Sequence, residues 1–368
     1  MERAKTKKQK SNKIQKAKRV IGKFFTIVLL VVVVTAIALL AGMWALAKGP
    51  SPTAQRLFVM TVTETSAIGW LANIYLSQAE IDYIRDFSEN DGSLEEATDT
   101  SLITINPQRP NRNQILGISD DDGNIQDSDN IQEDEYEDME FHEVFRNGYK
   151  GYMIVVRDPT RVFLGTPRSF GGYGRKLVDM IEDTGAVAGI NGGGFDDPGG
   201  VGGGGIPDGF VFDKGELRWG AGSGRVDIAA IDEDGILHVG FMSPAEAREK
   251  NIRYSAAFGP TLISNGVVNN NALRRSGLNP RTSIGQRADG AMLLLVIEGR
   301  QIDSLGASWD DIIEVMLDFD AVNAYNLDGG SSTLMYYYGE EINRSASIAG
   351  PRHLPTAFLV RDLDSERG

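Results

Sequence analysis

The sequence predicts an α+β fold of mixed and antiparallel twisted sheets with packed helices, preceded by one N-terminal transmembrane helix. Three observations predict it. An uncharged apolar run of 24 residues fills positions 24–47, longer than the ~20 residues that cross a hydrocarbon core. From about residue 149 onward, short β-branched and aromatic runs follow one another with turn residues between them, so strands come in series rather than alternating with helices. The 43 glycines supply tight turns, and 41% hydrophobic residues suit a globular domain.

The apolar run sets the organisation. Ten Lys or Arg precede it, while only Lys48 and Arg56 follow closely, so the positive-inside rule puts the N-terminus in the cytoplasm and the rest outside the cell membrane. A cleaved signal peptide has a shorter apolar core than this. The expected organisation is a basic cytoplasmic tail (1–23), a single span (24–47), an extracytoplasmic stalk and acidic linker (48–143), and a folded domain (144–368). The helical spacing of Ala67, Ile68, Leu71, Ile74 and Tyr75, and the capping-box pattern from Ser77 to Glu80, place helix in the stalk. Residues 119–143 hold twelve Asp or Glu and no Lys or Arg, with no EF-hand spacing, which reads as a solvated linker.

Composition removes several function classes. The chain carries −14 overall but +9 over residues 1–23, leaving −23 on the remainder; nucleic acid is not an expected partner. There is no Cys, which excludes thiolate catalysis, Cys-ligated zinc and disulfides. With only His142, His238 and His353, a multi-histidine metal site is not expected.

Within the folded domain, strands are expected at 151–157, 186–190, 209–212, 217–219, 226–231, 236–239, 324–327, 333–338 and 356–360. Residues 291–297, Ala-Met-Leu-Leu-Leu-Val-Ile, are apolar on both faces and predict a central strand. Helices are expected at 174–183, after the Ser243-Pro-Ala-Glu246 start, and after Ser308-Trp-Asp-Asp311.

Three clusters could carry chemistry. Ile190-Asn-Gly-Gly-Gly-Phe195 opens a glycine-rich loop in which Asn191 and Phe195 are the substantial side chains, followed by Asp196 and Asp197. Its glycines formally match a dinucleotide fingerprint, but no helix follows and no P-loop Lys is present. Asn279-Pro-Arg-Thr-Ser-Ile-Gly285 offers the Arg281 fork, suited to an anionic oxygen pair or to a salt bridge. Asn326-Leu-Asp-Gly-Gly-Ser-Ser-Thr333 combines a carboxylate, two glycines and three hydroxyls, a nest for anions or sugar hydroxyls. A nucleophilic serine served by His353 is the alternative, although no Gly-x-Ser-x-Gly elbow surrounds it.

These clusters, with Ile-Glu-Gly-Arg-Gln at 297–301 and Arg352-His-Leu-Pro-Thr-Ala-Phe, occur in an order that resembles the phosphodiester glycosidase family over about residues 149–362. An animal member, the uncovering enzyme, removes N-acetylglucosamine from mannose phosphate, and the anchor here resembles that of bacterial, exopolysaccharide-related members. The sequence departs from the family pattern at Glu298, where Asp is frequent, and at Ser331, where a third glycine is frequent. The resemblance implies a hydrolase that cleaves between a sugar C1 and a phosphodiester oxygen in cell-surface glycan metabolism. It implies catalysis by Asp328, with Glu298 as second carboxylate and Arg281 holding the leaving phosphate. It also implies substrate binding by Asn191, Phe195, Arg352, Gly329, Gly330, Ser331, Ser332 and Thr333. The expected partners are a sugar-phosphate or polysaccharide and the membrane. No cofactor is expected, with Asp196 and Asp197 the place for a divalent cation if one is used. A non-catalytic module that binds wall or exopolysaccharide glycans would present the same residues.

Overall fold

The computed structural model describes residues 2–65, 68–89, 97–105, 139–146, 148–197, 202–347 and 350–363. Residues 1–84 and 85–368 are separate compact units. In the first, one helix runs from Glu2 to Lys48. Its stretch from Lys18 to Lys48 is long and apolar enough to cross a membrane. The following residues are more compact than a stalk. Helix Pro52–Thr63, capped by Ser51, packs with Ala72, Leu76 and Ile81 around Ala47 at the end of the long helix. The Ser77–Glu80 capping box forms as expected: the Ser77 amide and hydroxyl both donate to Glu80 Oε2 at 2.8 Å.

The second unit holds the sheets. Its strands begin with a hairpin, β1 (Met139–Arg146) and β2 (Tyr149–Val156), followed by β3 (Val162–Gly165) and β4 (Ala186–Asn191). Two short pairs come next: β5 (Phe195–Asp196) with β6 (Ile206–Pro207), and β7 (Val211–Asp213) with β8 (Glu216–Trp219). Strands β9 (Val226–Asp232), β10 (Leu237–Met242) and β11 (Ile252–Ala256) form a sheet in the order β10-β9-β11. The chain continues through β12 (Thr261–Ser264), β13 (Val267–Val268), β14 (Arg281–Arg287) and β15 (Met292–Ile297). It closes with β16 (Ala321–Leu327), β17 (Met335–Tyr337), β18 (Glu340–Glu341) and β19 (Ala357–Arg361).

Two sheets carry the domain: seven strands in the order β1-β2-β15-β14-β16-β12-β13, and five in the order β18-β17-β4-β19-β3. Period-two alternation buries the larger sheet on both faces. Met292, Leu294 and Val296 pack with β4 and β19 residues in one core, whereas Leu293, Leu295 and Ile297 pack with helix Trp309–Asp318 in another. This is the physical reason for the doubly apolar run at 291–297. Two further capping boxes are present in this unit, at Ser243 with Glu246 and at Ser308 with Asp311.

Three boundaries shift. The domain does not begin at 144, because β1 starts at Met139 and pairs fully with β2; the acidic residues Glu140 and Glu143 therefore lie in a strand, while the linker over 106–138 lies outside the described residues. Residues 97–105 also pack on this unit: Thr98 Oγ1 accepts from the Val239 amide (3.0 Å) and the Thr104 amide donates to Ala288 O (2.8 Å). The helix expected at 174–183 is Leu177–Thr184, because Arg175 is first drawn into a backbone bridge with Leu354.

Candidate active site

The ends of β4, β14 and β16 converge, and Asn191 ties them. Its Nδ2 donates to Asp328 O (2.7 Å), while its Oδ1 accepts from Thr282 Oγ1 (2.7 Å) and the Leu334 amide (3.1 Å). Fully buried, Asn191 holds the Asp328 carbonyl in place. The three glycines that follow are set by space. A Cβ on Gly192 would lie 2.5 Å from Thr356 Oγ1, and one on Gly193 would lie 2.6 Å from Ala257 O. A Cβ on Gly194 would overlap Asp208 Oδ2 and the Phe258 ring. Glycine is needed here so that β4 can run against its neighbours.

Asp328 leaves β16 with its amide donating to Gly192 O (3.1 Å). It keeps some accessible surface, yet its carboxyl is enclosed enough that burial pushes it up to about 6, with the negative charge of Asp208 adding to the rise. The Ser332 hydroxyl, the Arg352 charge and the Gly329 amide pull the other way. Asp208 is itself raised, by burial and by Asp196. It gave no signal in the sequence: Pro207-Asp208-Gly209 reads as a turn, and only the pairing of Phe195 with Pro207 and the bond from the Asp208 amide to Gly194 O (2.9 Å) bring it here. Two titratable groups displaced from their ordinary range in one cleft mark a functional site.

Arg352 is the cation of the cleft. Its guanidinium stacks over Phe195 at 4.8 Å, pairs with Asp197, and reaches Ser331 Oγ at 3.4 Å. Phe195 therefore orients Arg352. Asp197 also accepts from the Gly202 amide at 2.8 Å, so it is committed to the arginine and the loop. Among the described residues, no group of three or more acidic or histidine side chains is placed to hold a metal.

Two expected site residues lie elsewhere. Arg281 precedes Thr282 on β14, and neighbours on a strand face opposite sides. Since Thr282 points to Asn191, Arg281 points to the other face, where Nε donates to Ala307 O (3.0 Å), Nη2 donates to Gly277 O (2.7 Å) and Trp309 lies beneath it. It fastens loops and does not reach the cleft. Glu298, 2% exposed, accepts from the Arg344 amide (2.8 Å) and Nη2 (3.0 Å). Its carboxylate is a buried ion-pair partner. Besides Arg352, Arg300 approaches Asp328's loop: its Nη2 donates to Asn279 Oδ1 (3.0 Å) and would lie 3.2 Å from a Cβ on Gly330.

The expected nest is also differently used. The Gly330 amide donates to Pro280 O (2.9 Å), and Gly329 approaches that same carbonyl closely enough to exclude a side chain. Ser332 and Thr333 are 1% exposed, and their hydroxyls have no hydrogen bond of good geometry, although Ser332 lies close enough to Asp328 to favour its charged form. No histidine among the described residues bonds these serines. His142 pairs with Glu140, His238 with Asp232, and the His353 ring meets Tyr173 edge-on at 5.9 Å. A serine nucleophile would lack its base.

The glycine loop, the Asp328 turn and the Arg352 segment fall in one stretch that matches a known family. Residues 184–361 match the model of the phosphodiester glycosidase family. Over 193 residues the chain is 28% identical to the SPbeta prophage-derived uncharacterized protein YomE of Bacillus subtilis (strain 168), which covers 50% of this chain and 29% of that protein. Over 212 residues it is 27% identical to N-acetylglucosamine-1-phosphodiester alpha-N-acetylglucosaminidase of Mus musculus, covering 51% of this chain and 40% of that one. The chain thus spans less than half the length of both relatives. The fold is shared with the catalytic domain of the zebrafish N-acetylglucosamine-1-phosphodiester alpha-N-acetylglucosaminidase, auto-inhibited by its pro-peptide. That similarity has a TM-score of 0.53 at 20% identity and covers 62% of this chain and 85% of that one.

Proposed function

We propose that this protein hydrolyses the bond between a sugar C1 and the phosphate oxygen of a phosphodiester, with Asp328 as the working carboxylate. The observation that carries the reading is Asp328 itself, held at about 6 beside Arg352 in a stretch that matches this family. A departing phosphomonoester has a second pKa near ~6 and needs little protonation; Arg352, with Arg300 on the same loop, would hold its charge. The ionised Asp328 then stabilises the cationic sugar centre or activates water. Asp208 is the second acid, and the half-exposed Phe258 ring beside it offers an apolar face to a sugar. Release of free sugar from a sugar-1-phosphodiester tests the activity, and binding without turnover would favour a glycan-binding module.

The apolar helix supports an anchored protein whose enzymatic domain faces outward. Protease added to intact cells should remove the domain and spare the basic tail. A domain shielded in whole cells but degraded in inverted vesicles would reverse that orientation.

A further inference from the structure

Away from the cleft, a cavity of about 440 Å³ is lined by Lys214, Arg248 and Arg253, with Glu233 and Asn251 at its side. In a domain that carries more Asp and Glu than Lys and Arg, this is a local excess of positive charge. Glu233 accepts from Asn251 Nδ2 at 2.6 Å, and among the described residues no carboxylate pairs with any of the three cations. Arg248 donates to Pro244 O (3.4 Å) and lies 5.8 Å from the Phe212 centroid, and Arg253 lies 5.7 Å from that of Tyr254. Lys214 occupies the first turn position between β7 and β8 with φ 54°, where Asn or Gly is easier. Three cations around an open volume, outnumbering the single carboxylate of Glu233, suit an oxyanion with several acceptor atoms.

We propose that this cavity binds a phosphate group carried by a part of the substrate chain that extends beyond the cleft. The assignment rests on the hydrolase reading above. Strand β11 gives the geometry. Arg253 stands near its start, and Ala257, just past its end, accepts from the Gly194 amide at 2.9 Å in the cleft wall. Four residues of strand separate them, ~13 Å, so a sugar-phosphate polymer occupying the cleft needs to run on only that far. The cavity would select polymeric over short phosphodiesters without touching the reacting bond.

The test uses the full chain in detergent micelles, with tripolyphosphate as the probe in calorimetric titration. Lys214→Asn with Arg253→Gln removes two charges and keeps the turn. Loss of two charge-assisted contacts predicts an affinity at least about tenfold weaker, while Lys214→Arg stays close to wild type. In turnover assays the double variant should keep its KM for a small sugar-1-phosphodiester and show a KM about tenfold higher, with kcat retained, for a polymeric sugar phosphate. Equal tripolyphosphate affinity in wild type and double variant overturns the site. Lost affinity with an unchanged polymer KM makes it a site for free phosphate and overturns the substrate assignment. If wild type turns over neither substrate, the hydrolase reading fails, and the calorimetric comparison alone decides whether the cavity takes phosphate.

Discussion

Two carboxylates leave the large sheet on either side of β14. Ile297 pairs with Arg281 and Leu327 pairs with Thr282, so Glu298 and Asp328 stand two strand spacings apart, ~10 Å. Glu298 is satisfied by one guanidinium nitrogen and the backbone amide of Arg344. Asp328 is desolvated with weaker compensation and is held at about 6. Burial alone therefore does not mark a working acid. A carboxylate given full ionic partners stabilises the fold, and one left short of them is ready to exchange a proton or meet a developing positive charge.

Exchanging the charges should separate the two. The largest effect is on rate: Asp328→Asn keeps shape but removes a ~4 kcal/mol transition-state interaction, lowering kcat about a thousandfold, whereas Glu298→Gln keeps kcat within about tenfold per folded molecule. Next comes Asn191→Ala, which strands the Asp328 carbonyl, the Thr282 hydroxyl and the Leu334 amide. Denaturant unfolding should lose about 3 kcal/mol, and kcat should fall with it because Asp328 is no longer held.

Stability sharpens the contrast further. Glu298→Gln leaves Arg344 without its buried partner and should cost about 2 kcal/mol in unfolding. Asp328→Asn should do the opposite. Its folded value of about 6 lies above the ordinary 3.8, so the stability attached to the protonated form is complete below pH 3.8 and is lost as pH rises through 6. At pH 8 the variant should be about 3 kcal/mol more stable than wild type, with the gain vanishing near pH 4. The smallest effect is Ser332→Ala, about 1 kcal/mol in rate; a loss as large as that of Asp328→Asn would revive a serine nucleophile.

Much of this arrangement was readable in the sequence. The doubly apolar β15, the helix starts at Ser243 and Ser308, and the Asn191 and Asp328 turns stand where their residues placed them. What failed was β14. Arg-Thr-Ser-Ile-Gly-Gln-Arg shows no strand periodicity because its buried polar side chains find partners far along the chain: Thr282 on Asn191, Ser283 on Tyr325 O, and Gln286 on Gly235 and Gly290. With no strand assigned, nothing told Arg281 from Thr282, and the fork was given to the wrong face. Strands β11 and β12 went unread, and with β11 the cavity at Arg253. Asp208 and Arg300 enter the site through turns whose partners are set only by folding.

The most direct measurement is kcat against pH on a sugar-1-phosphodiester, for wild type and Glu298→Gln together. A phosphodiester keeps its single charge across this range, so an inflection near neutrality belongs to the protein. Both proteins should show a rate that rises with pH through about 6, the value at which Asp328 is held. A wild-type profile flat between pH 5 and 7, or an inflection that disappears with Glu298→Gln, would contradict the assignment of Asp328 as the working carboxylate.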